Sequence, residues 1–157
     1  PFAVVLDYAH TPDSLEAVYK TLRGLSPQGK LIAVFGSASG GRDTWKRPVM
    51  GKIAAALADK IILTEEDSYD EDPHKIVEEI LSGIPEMSRG KVAIELDRSK
   101  AIARALAEAR PGDTVICTGK GSETSIHGFR GATTPWNERE VIEVALKEKN
   151  SPHAHKA

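Results

Sequence analysis

Five short apolar runs divide this chain at intervals that leave room for one helix each. They are Phe2 to Leu6, Lys30 to Phe35, Lys60 to Thr64, Lys91 to Leu96 and Thr114 to Thr118, and they favour β-branched residues. Between them, apolar residues recur at helical spacing: Leu15, Val18, Leu22 and Leu25, then Met50, Ile53, Ala54 and Leu57, then Ile76, Val77, Ile80 and Leu81, then Ile102, Ala105, Leu106 and Ala109. Near-continuous apolar strands alternating with amphipathic helices read as a parallel sheet covered on both faces. The pattern predicts an α/β, Rossmann-like, mostly parallel sheet of five to six strands. Helix starts are marked by Thr11-Pro12-Asp13, Pro48, Asp72-Pro73 and Asp97, and Asn137 with Glu140 forms a capping box for a last helix to about Lys149. Ser122 to Trp136 shows no clean period and reads as a turn-rich excursion.

The totals narrow the class. A chain of 157 residues is one domain with a real core. Residues 1–150 carry the pattern, and 151–157 (SPHAHKA) read as a frayed tail. A net charge of -2 gives no bulk attraction to nucleic acid, and no basic patch interleaved with aromatics stands out. No apolar run reaches membrane-spanning length. The one cysteine, Cys117, excludes an internal disulfide, fits a reducing, cytoplasmic compartment, and reads as a small core residue. The chain opens on a strand with no leader, the expectation for a piece of something longer.

Each predicted strand ends in polar residues, and open α/β sheets bind ligands outside those carboxyl ends. Phe35 to Gly51, FGSASGGRDTWKRPVMG, is the richest of them: glycines, then Arg42, Asp43, Lys46 and Arg47, then a helix. Such a loop can hold an anion on its N–H groups and the helix dipole; an ordinary βα connection with solvated charges fits equally. It is neither a Walker A loop nor a G-x-G-x-x-G fingerprint. Arg42 could hold a carboxylate in a two-pronged contact or simply pair with Asp43. Asp7 and His10 suit either a capped corner or a metal pair, but no third ligand has suitable spacing, so no metal site is expected. The acidic loop Glu65 to Asp72 is a solvated run or an ammonium site, and Gly119 to Glu123 could bring backbone close to a ligand. His74 and His127 read as surface residues, and no catalytic nucleophile arrangement can be argued from spacing.

Taken together, DYAHTPDSLE at 7–16, FGSASGGRDTWKRPVMGKIA at 35–54, LTEEDSYDEDP at 63–73, DRSKAI at 97–102, GKGSE at 119–123 and WNEREV at 136–141 resemble, in order and spacing, the C-terminal domain of Mur ligases, nearest the MurE type that makes UDP-N-acetylmuramyl-tripeptide. The resemblance implies an ATP-dependent amide ligase of peptidoglycan synthesis. A peptide carboxylate of UDP-MurNAc-dipeptide is phosphorylated, and the acyl phosphate is attacked by an incoming amino acid. It implies contact of Asp7 and His10 with ATP, and of Arg42, Glu66, Asp67, Tyr69, Gly119 and Glu123 with the amino acid, all as binding residues rather than acid–base catalysts. It also implies that ATP and Mg²⁺ are held mainly by domains absent from this sequence, the missing parts being a central, ATP-bearing domain and an N-terminal, UDP-binding one. The isolated domain would then be inactive.

Two departures bear on the substrate. Where relatives that add diaminopimelate carry Asp-Asn-Pro-Arg, this chain has Glu66-Asp67-Ser68-Tyr69, so Tyr69 replaces an arginine and cannot form its fork. The remaining acidity favours a side chain ending in an ammonium, such as L-lysine. Ser122 stands where the family has histidine. Alternatives are a related ligase, of the folate polyglutamate or cyanophycin synthase kind, and a non-catalytic binding module.

Overall fold

The computed structural model describes residues 1–41 and 43–150. Five parallel strands, β1 (Ala3–Asp7), β2 (Leu31–Phe35), β3 (Lys60–Leu63), β4 (Val92–Ile94) and β5 (Thr114–Thr118), lie in the order β1-β5-β2-β3-β4. The helices are α1 (Pro12–Leu25), α2 (Lys46–Leu57), α3 (Pro73–Ser82), α4 (Arg98–Glu108) and α5 (Glu138–Asn150). The expected α/β architecture is therefore present.

β2 and β5 are buried along their whole length because the sheet is covered twice. Leu31, Ala33 and Phe35 point to a core shared with Leu15 and Tyr19 of α1, Met50 and Ala54 of α2, and Ile76 and Ile80 of α3. Ile32 and Val34 point the other way, to Ile102 and Leu106 of α4 and Ile142 of α5. α2 and α3 meet through glycines: a Cβ on Gly51 would lie 2.1 Å from the Ile80 carbonyl oxygen, and one on Gly83 would lie 1.8 Å from that of Pro48.

Beyond shifts of one residue at strand ends, three features differ from the sequence reading. α2 begins at Lys46, not Pro48, so Lys46 and Arg47 occupy its first turn, and Trp45 before it provides no side-chain cap. β4 is only Val92–Ile94, because Lys91 ends a 3₁₀ turn and sends its ammonium to the Ala55 and Ala58 carbonyls. The stretch after Gly121 contains a hairpin, β6 (Ser125–His127) paired antiparallel with β7 (Thr133–Pro135), too short for its alternation to show. The capping box at Asn137 is half formed: its Oδ1 accepts from the Glu140 N–H at 3.2 Å. The tail at 151–157 lies outside the described residues.

Candidate functional site

After β2 the chain turns to α2 on one face, while after β5 it runs into the hairpin and α5 on the other. The crevice between their carboxyl ends is a topological switch point, where open α/β sheets take ligands. Two glycines let the loops close there. A Cβ on Gly36, just after β2, would strike the Thr64 carbonyl oxygen at 2.3 Å; on Gly119, just after β5, it would lie 2.3 Å from Glu66 Oε2. Gly119 also has φ +103, a conformation L side chains rarely adopt.

Glu66 is thus buried against the β5 loop. Its burial raises the carboxyl pKa above the usual range; the Arg98 charge opposes that rise, and neighbouring Asp67 adds to it. Asp67 is also buried, but paired: Lys120 Nζ reaches Oδ1 at 3.0 Å and Oδ2 at 2.9 Å, and the His127 N–H donates to Oδ1 at 2.7 Å. Lys120 is fully buried and also meets Glu123 Oε2 at 2.6 Å. Burial works against its charge, but hydrogen bonds to Glu123 and Asp67 outweigh it and raise the ammonium pKa. Glu65 accepts a hydrogen bond from the Ser68 hydroxyl. The acidic loop is therefore largely a paired network and not an open cluster of unpaired carboxylates.

On the β1 side, the Tyr8 hydroxyl donates to Glu123 Oε1 at 3.1 Å, which raises the phenol pKa. Asp7 Oδ1 accepts from the Ala9 N–H at 2.7 Å and shapes the corner into α1. His10 Nδ1 lies 2.8 Å from the Tyr8 carbonyl oxygen, so Nδ1 carries the proton and Nε2 is left as an acceptor in the neutral ring. His10, Pro12, Asp13, Trp45, Lys46 and Val49 line a groove of about 510 Å³.

The structure brings Glu66, Asp67, Gly119 and Glu123 together, with Tyr69 on the same loop as Glu66 and Asp67. Asp7 and His10 stand on the adjoining β1 side, while Arg42 lies outside the described residues. Among the described residues no group of three His, Cys, Asp or Glu side chains could hold a metal ion. His127, read as a surface residue, instead stacks on Tyr69 with ring centroids 5.1 Å apart.

Three charged residues make buried pairs that the sequence reading did not assign. Arg98 forms a buried fork with Glu138, Nε to Oε2 at 2.8 Å and Nη2 to Oε1 at 2.6 Å, and also donates to the Thr118 and Glu65 carbonyls. Arg47, counted as a loop cation, is fully buried and pairs with Glu71 and Glu79 at 2.7 Å each. Lys120, flanked by glycines directly after a buried strand, was the one with a legible signal.

The family model described as "Mur ligase, glutamate ligase domain" matches residues 1–121. The chain is 49% identical over 145 residues to the UDP-N-acetylmuramoyl-L-alanyl-D-glutamate–2,6-diaminopimelate ligase of Aquifex aeolicus, covering 92% of the chain and 29% of that protein. It is 46% identical over 149 residues to the Synechococcus elongatus protein of the same name, covering 94% and 29%. A solved structure of a ligase so named matches with a TM-score of 0.85 at 34% identity, covering 94% of this chain and 30% of that one. The chain thus spans about three tenths of the length of these relatives. On this sequence kinship and this shared fold, the chain belongs to the Mur ligase family and is similar along nearly its whole length to the MurE-type members.

Proposed function

We propose that this chain is the C-terminal, amino-acid-binding domain, residues 1–150, of an ATP-dependent ligase that adds a diamino acid to UDP-MurNAc-dipeptide in the cytoplasm. The observation that carries the reading is kinship to ligases of that name along 92% of the chain, at a sheet edge where charged side chains converge. In the reaction, the γ-phosphoryl group of ATP passes to the peptide carboxylate and ADP leaves. The incoming amine then attacks the acyl carbon, phosphate departs, and the amine loses its proton. What the domain adds is position and dryness: an amine held against an activated carbonyl with water kept out.

In this reading Asp7 and His10, on the β1 side, face ATP when the domains close, with His10 Nε2 available as an acceptor. Glu123 and Glu66 face the ammonium of the incoming amino acid, and Arg42 its carboxylate. Gly119 lets the substrate backbone approach, and Tyr69 lines the far end. Asp67 acts through Lys120, which it pairs. Mg²⁺ travels with ATP and belongs to the central domain.

Among diamino acids, 2,6-diaminopimelate, the acceptor in the relatives' names, stands ahead of L-lysine. The case for lysine rests on Tyr69 in place of an arginine and on the acidity of the loop, of which Asp67 is committed to Lys120 and Glu65 accepts from Ser68.

The test is ADP release by the full-length parent protein with UDP-MurNAc-dipeptide, ATP and Mg²⁺, across diaminopimelate, L-lysine and L-ornithine. Turnover that requires one of these supports the reading, and none with any of them overturns it. Amino-acid-dependent ATP turnover by the isolated chain would refute the division of labour.

A further inference from the structure

The acidic loop and the β6–β7 hairpin are laced together at one point. The Tyr69 N–H donates to the His127 carbonyl at 3.0 Å, and the Arg130 N–H donates to the Tyr69 carbonyl at 3.0 Å. Both residues are left-handed, Tyr69 at φ 46 and Arg130 at φ 58, conformations that cost a side-chain-bearing residue free energy and persist only where the surroundings impose them. The Tyr69 ring lies parallel to that of His127, 9° between planes. Asp67 fixes the same strand through the His127 N–H. The hairpin tip is therefore docked on the loop that carries Glu66 and Asp67.

That docking holds Arg130 beside Tyr69, which sits on the loop that carries Glu66 and Asp67. Its side chain is exposed, its guanidinium lies 5.2 Å from the Phe129 ring centroid, and no carboxylate among the described residues pairs with it. Among the described residues, two other arginines near this edge are spent, Arg47 on Glu71 and Glu79 and Arg98 on Glu138, and Arg42 is assigned above to the other carboxylate of the substrate. Lys46 is nearby, but its charge falls on Glu66. Within the loop Asp67 and Glu71 are matched by Lys120 and Arg47, while the guanidinium of Arg130, next to Tyr69, has no such match among the described residues.

We infer that Arg130 is a specificity-determining residue, whose guanidinium takes the distal carboxylate of the incoming diamino acid. The inference rests on the ligase reading above. 2,6-Diaminopimelate and L-lysine differ by one carboxylate, on the carbon that bears the distal amine. A guanidinium fork recognises that group in two parallel hydrogen bonds, and a single ammonium does not reproduce it. Tyr69 beside it contributes no charge, so Arg130 supplies the discrimination.

The experiment measures kcat and KM of the full-length parent for both amino acids, in wild type, Arg130→Gln and Arg130→Lys. The expected result is a wild-type preference for diaminopimelate. In R130Q the ratio of kcat/KM for diaminopimelate to that for lysine falls about 10–100-fold, the range for a lost charge-assisted contact, and the loss sits in KM rather than kcat. R130K recovers part of it. A ratio that does not move, because both substrates weaken together or neither does, overturns the inference and leaves the ligase reading standing. A wild-type preference for lysine overturns it as well. Absence of turnover with every amino acid overturns the ligase reading, and the inference falls with it.

Discussion

Arg98 and Glu138, forty positions apart, form a two-pronged ion pair in which both side chains are almost wholly buried. Arg98 opens α4 and Glu138 opens α5. Because Arg98 also donates to the Thr118 and Glu65 carbonyls, the pair ties the ends of β5 and β3 to two helix starts. The Trp136 indole N–H donates to the same carboxylate at 2.7 Å.

Removing one member leaves the other charged and unpaired in a dry place, which costs about 3–5 kcal/mol. E138A should therefore lower the midpoint of chemical denaturation far more than removal of a surface acid such as Glu143, whose pair with Arg139 is solvent-exposed and worth about 0–1 kcal/mol. Equal midpoints for E138A and E143A would refute this account of how the loops are anchored.

Gly119 faces Glu66 with no room between them. G119A adds a methyl group where only 2.3 Å separates the Cβ position from Glu66 Oε2, at a φ of +103. Either the β5 loop or the Glu66 side chain must move. The expected outcome is a loss of about 1–3 kcal/mol, read by denaturation, and at least a tenfold rise in KM for the amino acid in the full-length enzyme. A G119A protein with wild-type stability and KM would mean that this close approach is not required.

Cys117 sits in the middle of the sheet, and burial pushes its thiol up to about 12. A thiolate is the reactive form. The native protein at pH 8 should leave Cys117 unmodified by a thiol reagent over hours, and one thiol should titrate at once on addition of denaturant. Rapid modification of the native chain would show that β5 opens far more readily than a fully buried strand should.

Much of this could be read from the chain. The sheet was legible because Leu31 to Phe35 and Thr114 to Thr118 are buried on both sides, so nothing polar interrupts them. Gly119, Glu66 and Glu123 were legible as strand-end residues, since a parallel sheet puts all its carboxyl ends on one edge. What escaped was pairing at a distance. Nothing local says that Arg47 turns inward to Glu71 and Glu79 while the neighbouring Lys46 does not, or that Asp67 and Glu123 both close on Lys120. The hairpin escaped because two three-residue strands, joined through a left-handed Arg130, carry too little alternation to register.

Glu66 and Glu71 belong to one loop and titrate in opposite senses. Burial, against the Arg98 charge, raises the Glu66 carboxyl above its ordinary value of 4.5, while hydrogen bonding to Arg47, against a smaller effect of burial, lowers that of Glu71. The folded state therefore favours the protonated form of Glu66. Its contribution is complete below the unfolded pKa and is lost as pH rises through the folded one. For Glu71 the folded state favours the charged form, so its contribution is present above the unfolded pKa and lost as pH falls through the folded one. Glu66→Gln replaces the acid with a neutral side chain of the same shape. It should raise the melting temperature at pH 7 and narrow to nothing against wild type below pH 4, where Glu66 is protonated in both states. In the full-length enzyme the same substitution should raise the KM for the amino acid, stability being gained where a binding group is lost. E71Q should do the reverse, costing stability at pH 7 and matching wild type only in acid. Melting curves of the two variants across pH 3 to 8 decide it: an E66Q protein less stable than wild type at pH 7 would mean that pairing of the Glu66 carboxylate outweighs its burial.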